Sequence, residues 1–177
     1  MRPTPPRRLP GGLLVTSAFL HDGPARLLVH RLKYDGITRA ADVLAEAMVE
    51  VTPAATALVP IPRVLARRLH HGVDAARALA MAIGRNAGIP VVQALDPPIW
   101  ARRHAGRRRT TRTRPDFRRR CLPPPGAVLV DDVVTTGSTL RAAASALSGT
   151  VGLAVCATSV AHTTQVDSLH GRWSSHD

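Results

Sequence analysis

The segment from residue 128 to residue 140 reads Val128-Leu129-Val130-Asp131-Asp132-Val133-Val134-Thr135-Thr136-Gly137-Ser138-Thr139-Leu140. Its apolar start is typical of a strand that is buried on both faces of a parallel sheet. Two carboxylates follow, then a loop of Thr, Gly and Ser, and then residues that can begin a helix. In sheets of this kind, ligands bind beside the carboxyl ends of the strands. The segment therefore predicts a parallel α/β sheet and the place of its ligand site.

Further strands and helices are predicted on either side of this segment. Short apolar runs bounded by Gly or Pro predict strands at residues 13–19, 57–62, 89–95, 127–130 and 152–160. Helical spacing of apolar residues predicts helices at residues 24–31, 38–51, 73–86 and 138–147. Their end signals are Pro24 in a first turn, Thr38 as an N-cap and Gly88 as a C-terminal breaker. The alternation predicts an α/β fold with a doubly wound, mainly parallel sheet and right-handed crossovers.

The chain is predicted to form one domain with three irregular segments. With 177 residues, 45% of them hydrophobic, it can bury a sizeable core. Residues 1–10 contain four Pro and predict a flexible, basic head without helix or strand. Residues 11–162 form the predicted domain, which includes a long Arg-rich loop at residues 98–125. Residues 163–177 are predicted to be a polar tail.

The net charge of +12 is confined to two places. Residues 102–120 hold ten Arg and one Asp, residues 1–10 hold three Arg, and the rest of the chain is neutral overall. This distribution excludes a uniformly cationic, histone-like surface. Three roles remain for the Arg-rich segment: an anion site, a strip that contacts nucleic acid, or a solvated loop in a chain biased towards Arg. In such a chain the single Lys, Lys33, suggests a need for a compact ammonium group, unless chance alone has left it.

Cysteine and histidine usage argues against a protein-bound metal centre. Cys121 and Cys156 form neither a CxxC pair nor a zinc spacing, and a disulfide framework is not expected. The histidines show no metal-binding pair four residues apart, and we interpret them as ordinary surface or core residues. His104 lies in the Arg-rich loop, where it could contact a phosphate. No apolar run is long enough to cross a membrane, so we expect a cytoplasmic protein without a membrane partner.

The segment at residues 128–140 offers the donors and acceptors that a ribose 5-phosphate needs. Backbone N–H groups at a helix start suit a phosphate, and Gly137 lets the backbone approach it. Hydroxyl donors are supplied by Thr135, Thr136, Ser138 and Thr139. Asp131 and Asp132 would repel the phosphate, but a few ångströms away they suit a vicinal diol or a metal. The alternative is that the acids only end a strand and that Ser138 only caps a helix, although clustered carboxylates are costly there.

Residues 130–139 resemble the phosphoribosyl pyrophosphate signature of type I phosphoribosyltransferases, in which apolar residues, two acids and two further apolar residues precede a Thr/Gly loop. Further motifs resemble those of the ComF family, whose members are competence-associated and phosphoribosyltransferase-like. These motifs are Leu32-Lys33-Tyr34-Asp35-Gly36, Val59-Pro60-Ile61-Pro62, the Arg-rich turn at residues 67–74, and His104-Ala105-Gly106 with Arg109 and Arg112 downstream. The four-cysteine zinc module often found in the family is lacking, and Pro115 stands near the place of the family's Asn.

The resemblance implies a type I phosphoribosyltransferase fold that binds phosphoribosyl pyrophosphate with Mg²⁺. The residues that it implies for catalysis are Asp131, Asp132 and Arg109. Those implied for the ribose 5-phosphate are Asp131, Asp132, Thr135, Thr136, Gly137, Ser138 and Thr139. Those implied for pyrophosphate are Lys33, Arg63 and Arg112, and no protein side chain is expected to bind the metal directly. An active enzyme would transfer ribosyl phosphate to a nitrogen base, which the sequence does not identify. Thr135 stands where enzymes of the hypoxanthine–guanine type carry an acid, which disfavours that subclass.

Two other functions stay open at this point. The first is a non-catalytic competence factor that binds single-stranded DNA or a helicase partner during DNA uptake. The second is a regulator that binds a ribose phosphate as a signal. The sequence also leaves open whether the Arg-rich loop is a lid over pyrophosphate or a DNA contact, and whether the chain forms a homo-oligomer.

Overall fold

The computed structural model describes residues 4–63, 73–97 and 116–160. Within these ranges the strands are β1 (Arg7–Arg8), β2 (Leu14–Leu20), β3 (Leu58–Pro60), β4 (Leu95–Asp96), β5 (Arg118–Arg119), β6 (Val128–Val134) and β7 (Leu153–Ser159). The helices in the same ranges are α1 (Gly23–Tyr34), α2 (Arg39–Val51), α3 (Ala75–Ala87) and α4 (Ser138–Ala146). No helix of this described part is long and apolar enough to cross a membrane.

The central sheet has five strands in the order β1-β2-β7-β6-β3. β2, β7, β6 and β3 run parallel to one another, and β1 pairs antiparallel with β2 at one edge. Their carboxyl ends therefore meet at one edge of the sheet, as expected for connections that cross over through helices. The prediction of an α/β fold with a mainly parallel sheet is confirmed.

Helices cover both faces of this sheet, as a doubly wound fold requires. On one face α1, α2 and α3 pack Leu32, Leu44 and Ile83 against sheet residues that include Val128 and Val155. On the other face α4 buries its own apolar residues against the alternate sheet positions. The members of that second core include Leu140, Ala143, Leu147, Leu129, Ala154 and Cys156. The alternation of strand side chains between two covered faces explains why β6 and β7 are apolar at successive positions.

Most predicted helices agree with the structure to within a few residues. Pro24 lies in the first turn of α1, and Gly88 ends α3 in the left-handed region with φ of 70°. Thr38 occupies the N-cap position of α2, but its side chain makes no capping hydrogen bond, because its backbone is already helical. α1 continues three residues past the predicted end at Arg31, which brings Lys33 and Tyr34 into the helix.

The predicted strand at residues 89–95 is wrong as a regular element. It makes one parallel bridge, between Val91 and Leu58, and then turns where Ala94 N–H donates to Val92 O. Pro90 has no N–H with which to extend the ladder in the other direction. The chain instead forms β4, which pairs antiparallel with β5 in a separate two-stranded sheet. The prediction of an uninterrupted Arg-rich loop at residues 98–125 is therefore wrong at Arg118–Arg119, which form the strand β5.

The prediction that residues 1–10 form no strand is also wrong. β1 pairs with β2 through Arg7 and Arg8, and Leu9 is 95% buried because it packs into the core beside α4. The prolines did not prevent this pairing, because Arg7, Arg8 and Leu9 lie between them and keep their N–H groups. Leu9 N–H, for example, donates to Leu13 O over 2.8 Å.

β6 runs four residues further than predicted, through both acids to Val134. The sequence favoured an end at Val130, because charged residues are costly in a buried strand. The ladder with β7 nevertheless continues, with Asp131 opposite Cys156 and Val133 opposite Thr158. The acids are thus held by sheet hydrogen bonds rather than by a loop.

Candidate functional site

A cavity of about 480 Å³ opens at the carboxyl edge of the parallel sheet. It is lined from three strand ends and from helices α1 and α3. The polar lining residues on which the argument below depends are His21, Lys33, Arg63, Asp74, Asp131 and Asp132. Thr135 and Thr139 extend the lining into the loop after β6. The carboxyl edge is the predicted location for a ligand site in this fold class.

A larger cavity, of about 800 Å³, lies among the described residues between the glycine turn before β2 and α4. Its lining includes Gly11, Gly12, Arg141 and Ser145 but neither acid of β6. The acids therefore do not line this larger cavity. They line the one that adjoins the strand ends and that combines carboxylates with cations.

Lys33 and Asp132 form an ion pair across this cavity. Lys33 Nζ lies 2.8 Å from Asp132 Oδ1, and the two side chains are only 19% and 13% exposed. Lys33 is in the last turn of α1, where the helix dipole favours a cation. The only Lys of the chain thus neutralises one of the two acids, a contact that its predicted role at pyrophosphate did not include.

Asp131 is held differently from its neighbour. Its Oδ1 accepts a hydrogen bond of 2.8 Å from the backbone N–H of Asp132, and its side chain is partly buried. Burial, followed by repulsion from Asp132, raises the pKa of Asp131 to about 8, although that N–H and the Lys33 charge act in the opposite direction. The raised pKa favours the protonated form of Asp131 at neutral pH, beside the ion pair of Lys33 and Asp132.

The raised pKa of Asp131 predicts a pH-dependent stability. Its ordinary value is 3.8, so between about pH 4 and pH 8 the folded state holds a proton that the unfolded state has lost. The free energy of unfolding should fall as the pH rises through this window, by at most about 1.4 kcal/mol per unit from this residue. Asp131→Asn should remove that dependence, so its stability relative to the wild type should increase from pH 5 to pH 8. Urea denaturation at three pH values measures the difference.

Asp42→Asn is the matched control for this experiment. Asp42 is an exposed aspartate on α2 that pairs with Arg85 at the surface. Its replacement should shift stability by a small, nearly constant amount over the same pH range. A constant offset for Asp131→Asn as well would contradict the raised pKa of Asp131.

The loop after β6 is suited by its geometry to an anion. Thr136 Oγ1 lies 3.4 Å from Ser138 N and accepts its hydrogen at the start of α4. Thr135 and Thr136 are exposed, and Gly137 has φ of 71° at the N-cap position. Under this loop lies a small cavity of about 20 Å³, which Asp131, Gly137 and Ser138 help to line. The loop therefore combines hydroxyl groups with the positive end of a helix dipole.

Gly137 is required on two grounds, its backbone conformation and its contact with Leu9. A Cβ at Gly137 would overlap the Leu9 side chain, whereas a Cβ at Gly149, which has nearly the same φ of 69°, would meet no atom within 4 Å. Gly149→Ala should therefore cost only the backbone strain, about 1 kcal/mol. Gly137→Ala should cost roughly 2–3 kcal/mol in urea denaturation, because overpacking is added to that strain.

A double-mutant cycle with Leu9→Ala separates these two contributions. In the Leu9→Ala background the space beside Gly137 is empty, so Gly137→Ala should cost about as much as Gly149→Ala does. An equal cost of Gly137→Ala in both backgrounds would show that Leu9 does not restrict this position.

His21 was interpreted as an ordinary surface or core residue, but it lines the cavity. It follows β2 directly, and its Nδ1 shares a hydrogen bond of 2.8 Å with Thr158 Oγ1. Thr158 Oγ1 in turn lies 3.4 Å from Asp132 O. Burial, followed by the charges of Lys33 and Arg26, lowers the pKa of His21, which favours the neutral imidazole. The signal for this residue in the sequence was its position at the carboxyl end of a predicted strand.

Arg63 reaches the cavity but also holds the end of α1. Its Nη1 donates to Lys33 O over 3.2 Å, and its guanidinium lies 5.7 Å from the centre of the Tyr34 ring. Its backbone N–H lies 3.5 Å from Asp74 Oδ2, and Asp74 also caps α3 by accepting from Arg77 N–H. Arg63 is therefore a cation of the cavity wall whose orientation depends on two neighbouring helices. Asp74 is a further cavity residue that the sequence analysis missed.

The structure brings together most of the predicted site residues. Asp131, Asp132, Lys33, Arg63, Thr135 and Thr139 line the cavity, and Gly137 and Ser138 line the smaller one beside it. Thr136 stands in the same loop. Arg109, Arg112, His104 and the Arg-rich turn at residues 67–72 lie outside the described residues. The roles of all these residues towards a ligand stay predictions.

The described residues hold no group of three or more His, Cys, Asp or Glu side chains that could bind a metal ion by themselves. Asp131 and Asp132 are hard oxygen donors of the kind that Mg²⁺ prefers, but Lys33 already pairs with Asp132. This donor set fits a Mg²⁺ ion that takes most of its ligands from a bound phosphate and from water.

Comparisons of the sequence with protein-family models and with curated proteins find no match. Membership of the ComF family therefore stays a prediction. It depends on the motifs around Lys33, Pro60 and Asp131, and the structure places residues of all three motifs around one cavity.

Proposed function

We propose that this cavity binds a ribose 5-phosphate group and that the chain is a phosphoribosyltransferase-like protein of the ComF family with the type I fold. The observation that carries the proposal is the division of the site into two parts. Asp131 and Asp132 supply acceptors at the end of β6, and residues 135–139 supply donors in the loop beyond them. A ribose 5-phosphate has its diol and its phosphate at matching positions.

The cations of the cavity suit a second anionic group. Lys33 and Arg63 line the same cavity as the acids, from α1 and from the segment after β3. Phosphoribosyl pyrophosphate carries a pyrophosphate on the ring carbon next to the diol, at the end of the sugar away from the 5-phosphate. The ligand would thus extend from the loop, past the acids, to these cations. When bound, Mg²⁺ supplies charge neutralisation for the pyrophosphate oxygens.

If a nitrogen base is present, this arrangement supports transfer of the ribosyl phosphate. The bond from the ring carbon to pyrophosphate breaks, and pyrophosphate leaves with the electron pair. The base nitrogen donates a pair to the same carbon and loses its proton. The residues of this chain would hold the sugar by its hydroxyls and its phosphate, which fixes the reacting carbon and stabilises the developing charges.

Titration calorimetry tests the proposal against its alternatives. Phosphoribosyl pyrophosphate with Mg²⁺, ribose 5-phosphate alone and a short single-stranded DNA are each titrated into the full chain. We expect saturable binding of both sugar phosphates, with the pyrophosphate compound bound more tightly. Tight binding without turnover in the presence of purine and pyrimidine bases would indicate a regulator rather than an enzyme.

The titration with single-stranded DNA distinguishes a competence factor that binds DNA from a protein that binds sugar phosphates. Binding of single-stranded DNA that weakens steeply with salt, together with no heat from either sugar phosphate, would overturn the proposal. It would assign the function to the basic segments at residues 1–10 and 102–120 instead. If both classes of ligand bind, a competition titration shows whether they share the cavity, because only ligands with a common site displace each other.

A further inference from the structure

Residues 4–9 form a strap along the edge of the sheet. β1 pairs with β2 in this strap, and Thr4 Oγ1 donates to Ser17 O over 2.8 Å. Two strands, β2 and β7, separate the strap from β6, which carries the acids. The strap nevertheless reaches the loop at residues 135–139 through its side chains.

Two side chains of the strap contact that loop. Arg7 Nη2 donates to the backbone carbonyl of Thr135 over 2.7 Å, and the Leu9 side chain fills the space next to Gly137. Arg7 and Leu9 are two residues apart, so they project from the same face of an extended strand. Arg8 projects from the other face, where its Nη1 donates to Gly12 O over 2.9 Å. One face of the strap thus meets the loop at its start, Thr135, and at its middle, Gly137.

The orientation of the Arg7 side chain leaves one of its polar atoms buried without a partner in the described part of the chain, which costs free energy. We take this as a sign that the side chain is held in one position. Arg7 Nε is buried and has no hydrogen-bond partner among the described residues. The hydrogen bond itself is short and solvent-exposed, and it joins residues 128 positions apart. The carbonyl of Thr135 is also the point at which the chain leaves β6 and turns towards α4.

We propose that Arg7 is a positioning residue of the phosphate site. It holds the carbonyl of Thr135 on the side away from the ligand, so that the following N–H groups and hydroxyls point into the site. The proposal rests on the proposed function for the identity of the anion, a phosphate ester. It goes beyond that function by assigning a role to a residue that lies more than a hundred positions before the loop.

The test compares Arg7→Ala with Arg8→Ala in the full chain. Both variants lose an arginine from β1 and change the net charge equally, but only the first loses a contact with the loop. The probes are ribose 5-phosphate, which needs the loop, and Mg²⁺-pyrophosphate, which would bind at Lys33 and Arg63. We expect Arg7→Ala to weaken ribose 5-phosphate binding by roughly tenfold and to leave pyrophosphate binding within about twofold. Arg8→Ala should leave both unchanged.

Amide hydrogen exchange of the ligand-free proteins supplies a second readout. The amides of residues 136–139 should exchange faster in Arg7→Ala than in the wild type, and those in Arg8→Ala should not change. If Arg7→Ala fails to fold, Arg7→Lys is measured in the same two ways, since it keeps the charge but shortens the reach to Thr135.

The proposal would be overturned if the Arg7 and Arg8 variants bound ribose 5-phosphate equally well and if the amides of residues 136–139 exchanged at equal rates in both. An equal loss of both probes in Arg7→Ala would also overturn it, because that result means a general structural role. If the wild type binds neither probe, the proposed function fails, and the exchange comparison still decides whether Arg7 holds the loop.

Discussion

Replacement of Asp131 and Asp132 together by asparagine should weaken ribose 5-phosphate binding by roughly 100-fold or more. Asp132 is proposed to accept a hydrogen bond from one ribose hydroxyl as a carboxylate, and such a bond is worth about 1.5–3 kcal/mol. Asp131, whose pKa is raised, is proposed to bond to the other hydroxyl as a neutral acid, which adds about 0.5–1.5 kcal/mol. Asparagine keeps the size of the side chain but offers only one neutral acceptor. Titration calorimetry on the double variant measures the loss.

The structure also predicts an opposite effect for pyrophosphate on the same double variant. Lys33 Nζ lies 2.8 Å from Asp132 Oδ1 in the wild type, so Asp132→Asn releases the ammonium from its partner. Mg²⁺-pyrophosphate should therefore bind as well as before or slightly more tightly. The single variant Asp42→Asn removes an exposed carboxylate and should change neither affinity. Unchanged ribose 5-phosphate affinity in the double variant would refute the assignment of the acids to the ribose.

Lys33→Met should reduce the free energy of unfolding by about 2–4 kcal/mol at pH 7. Removal of one partner of a buried ion pair typically costs roughly 3–5 kcal/mol, because the other charge is left in a poorly solvated place. The pair of Lys33 and Asp132 keeps some contact with solvent, which lowers the expected cost. Methionine replaces the aliphatic part of the side chain, so little packing is lost. Urea denaturation provides the value.

A second ion pair of the protein supplies the matched control. Arg85 Nη2 lies 2.7 Å from Asp42 Oδ1, a distance much like that of the cavity pair, but these side chains are 60% and 55% exposed. Arg85→Met should cost less than about 0.5 kcal/mol, because exposed pairs contribute little. Adding Asp132→Asn to Lys33→Met should restore most of the lost stability. Similar costs for Lys33→Met and Arg85→Met would mean that burial does not distinguish the two pairs.

The layered architecture could be predicted because its signals are local. The apolar run around Leu129 predicts a buried strand, and the helical spacing of apolar residues in α2 predicts a helix. Both predictions agree with the structure. The errors occur where a distant contact prevails over the local signal. Arg7–Arg8 became a strand because an edge of β2 was open to pairing, and β6 continued through Asp131 because β7 lies beside it.

The candidate site was predictable in part for the same reason. Asp131 and Asp132 could be found from their place at a strand end, and the same rule applied to His21 would have added it to the site. Asp74 escapes this rule, because it stands at the N-cap of α3 rather than at a strand end. The ion pair with Lys33 could not be read from the sequence, since it depends on how α1 packs across the sheet. The contact of Arg7 with Thr135 was equally hidden, because nothing in a Pro-rich segment indicates a partner 128 residues away.

The position of β7 has a consequence for how the chain acquires this structure during synthesis. β7 follows all the other described strands in the sequence but lies in the middle of the sheet, between β2 and β6. Until the ribosome has released residues 153–159, β1-β2 and β6-β3 can form only two separate ribbons, each with an edge of unpaired N–H and C=O groups. Such edges invite pairing with other nascent chains, and contacts of such long sequence separation form slowly. Productive folding of this protein must therefore follow the emergence of β7 rather than proceed strand by strand, and the interval before it is the one in which a chaperone would be of most use.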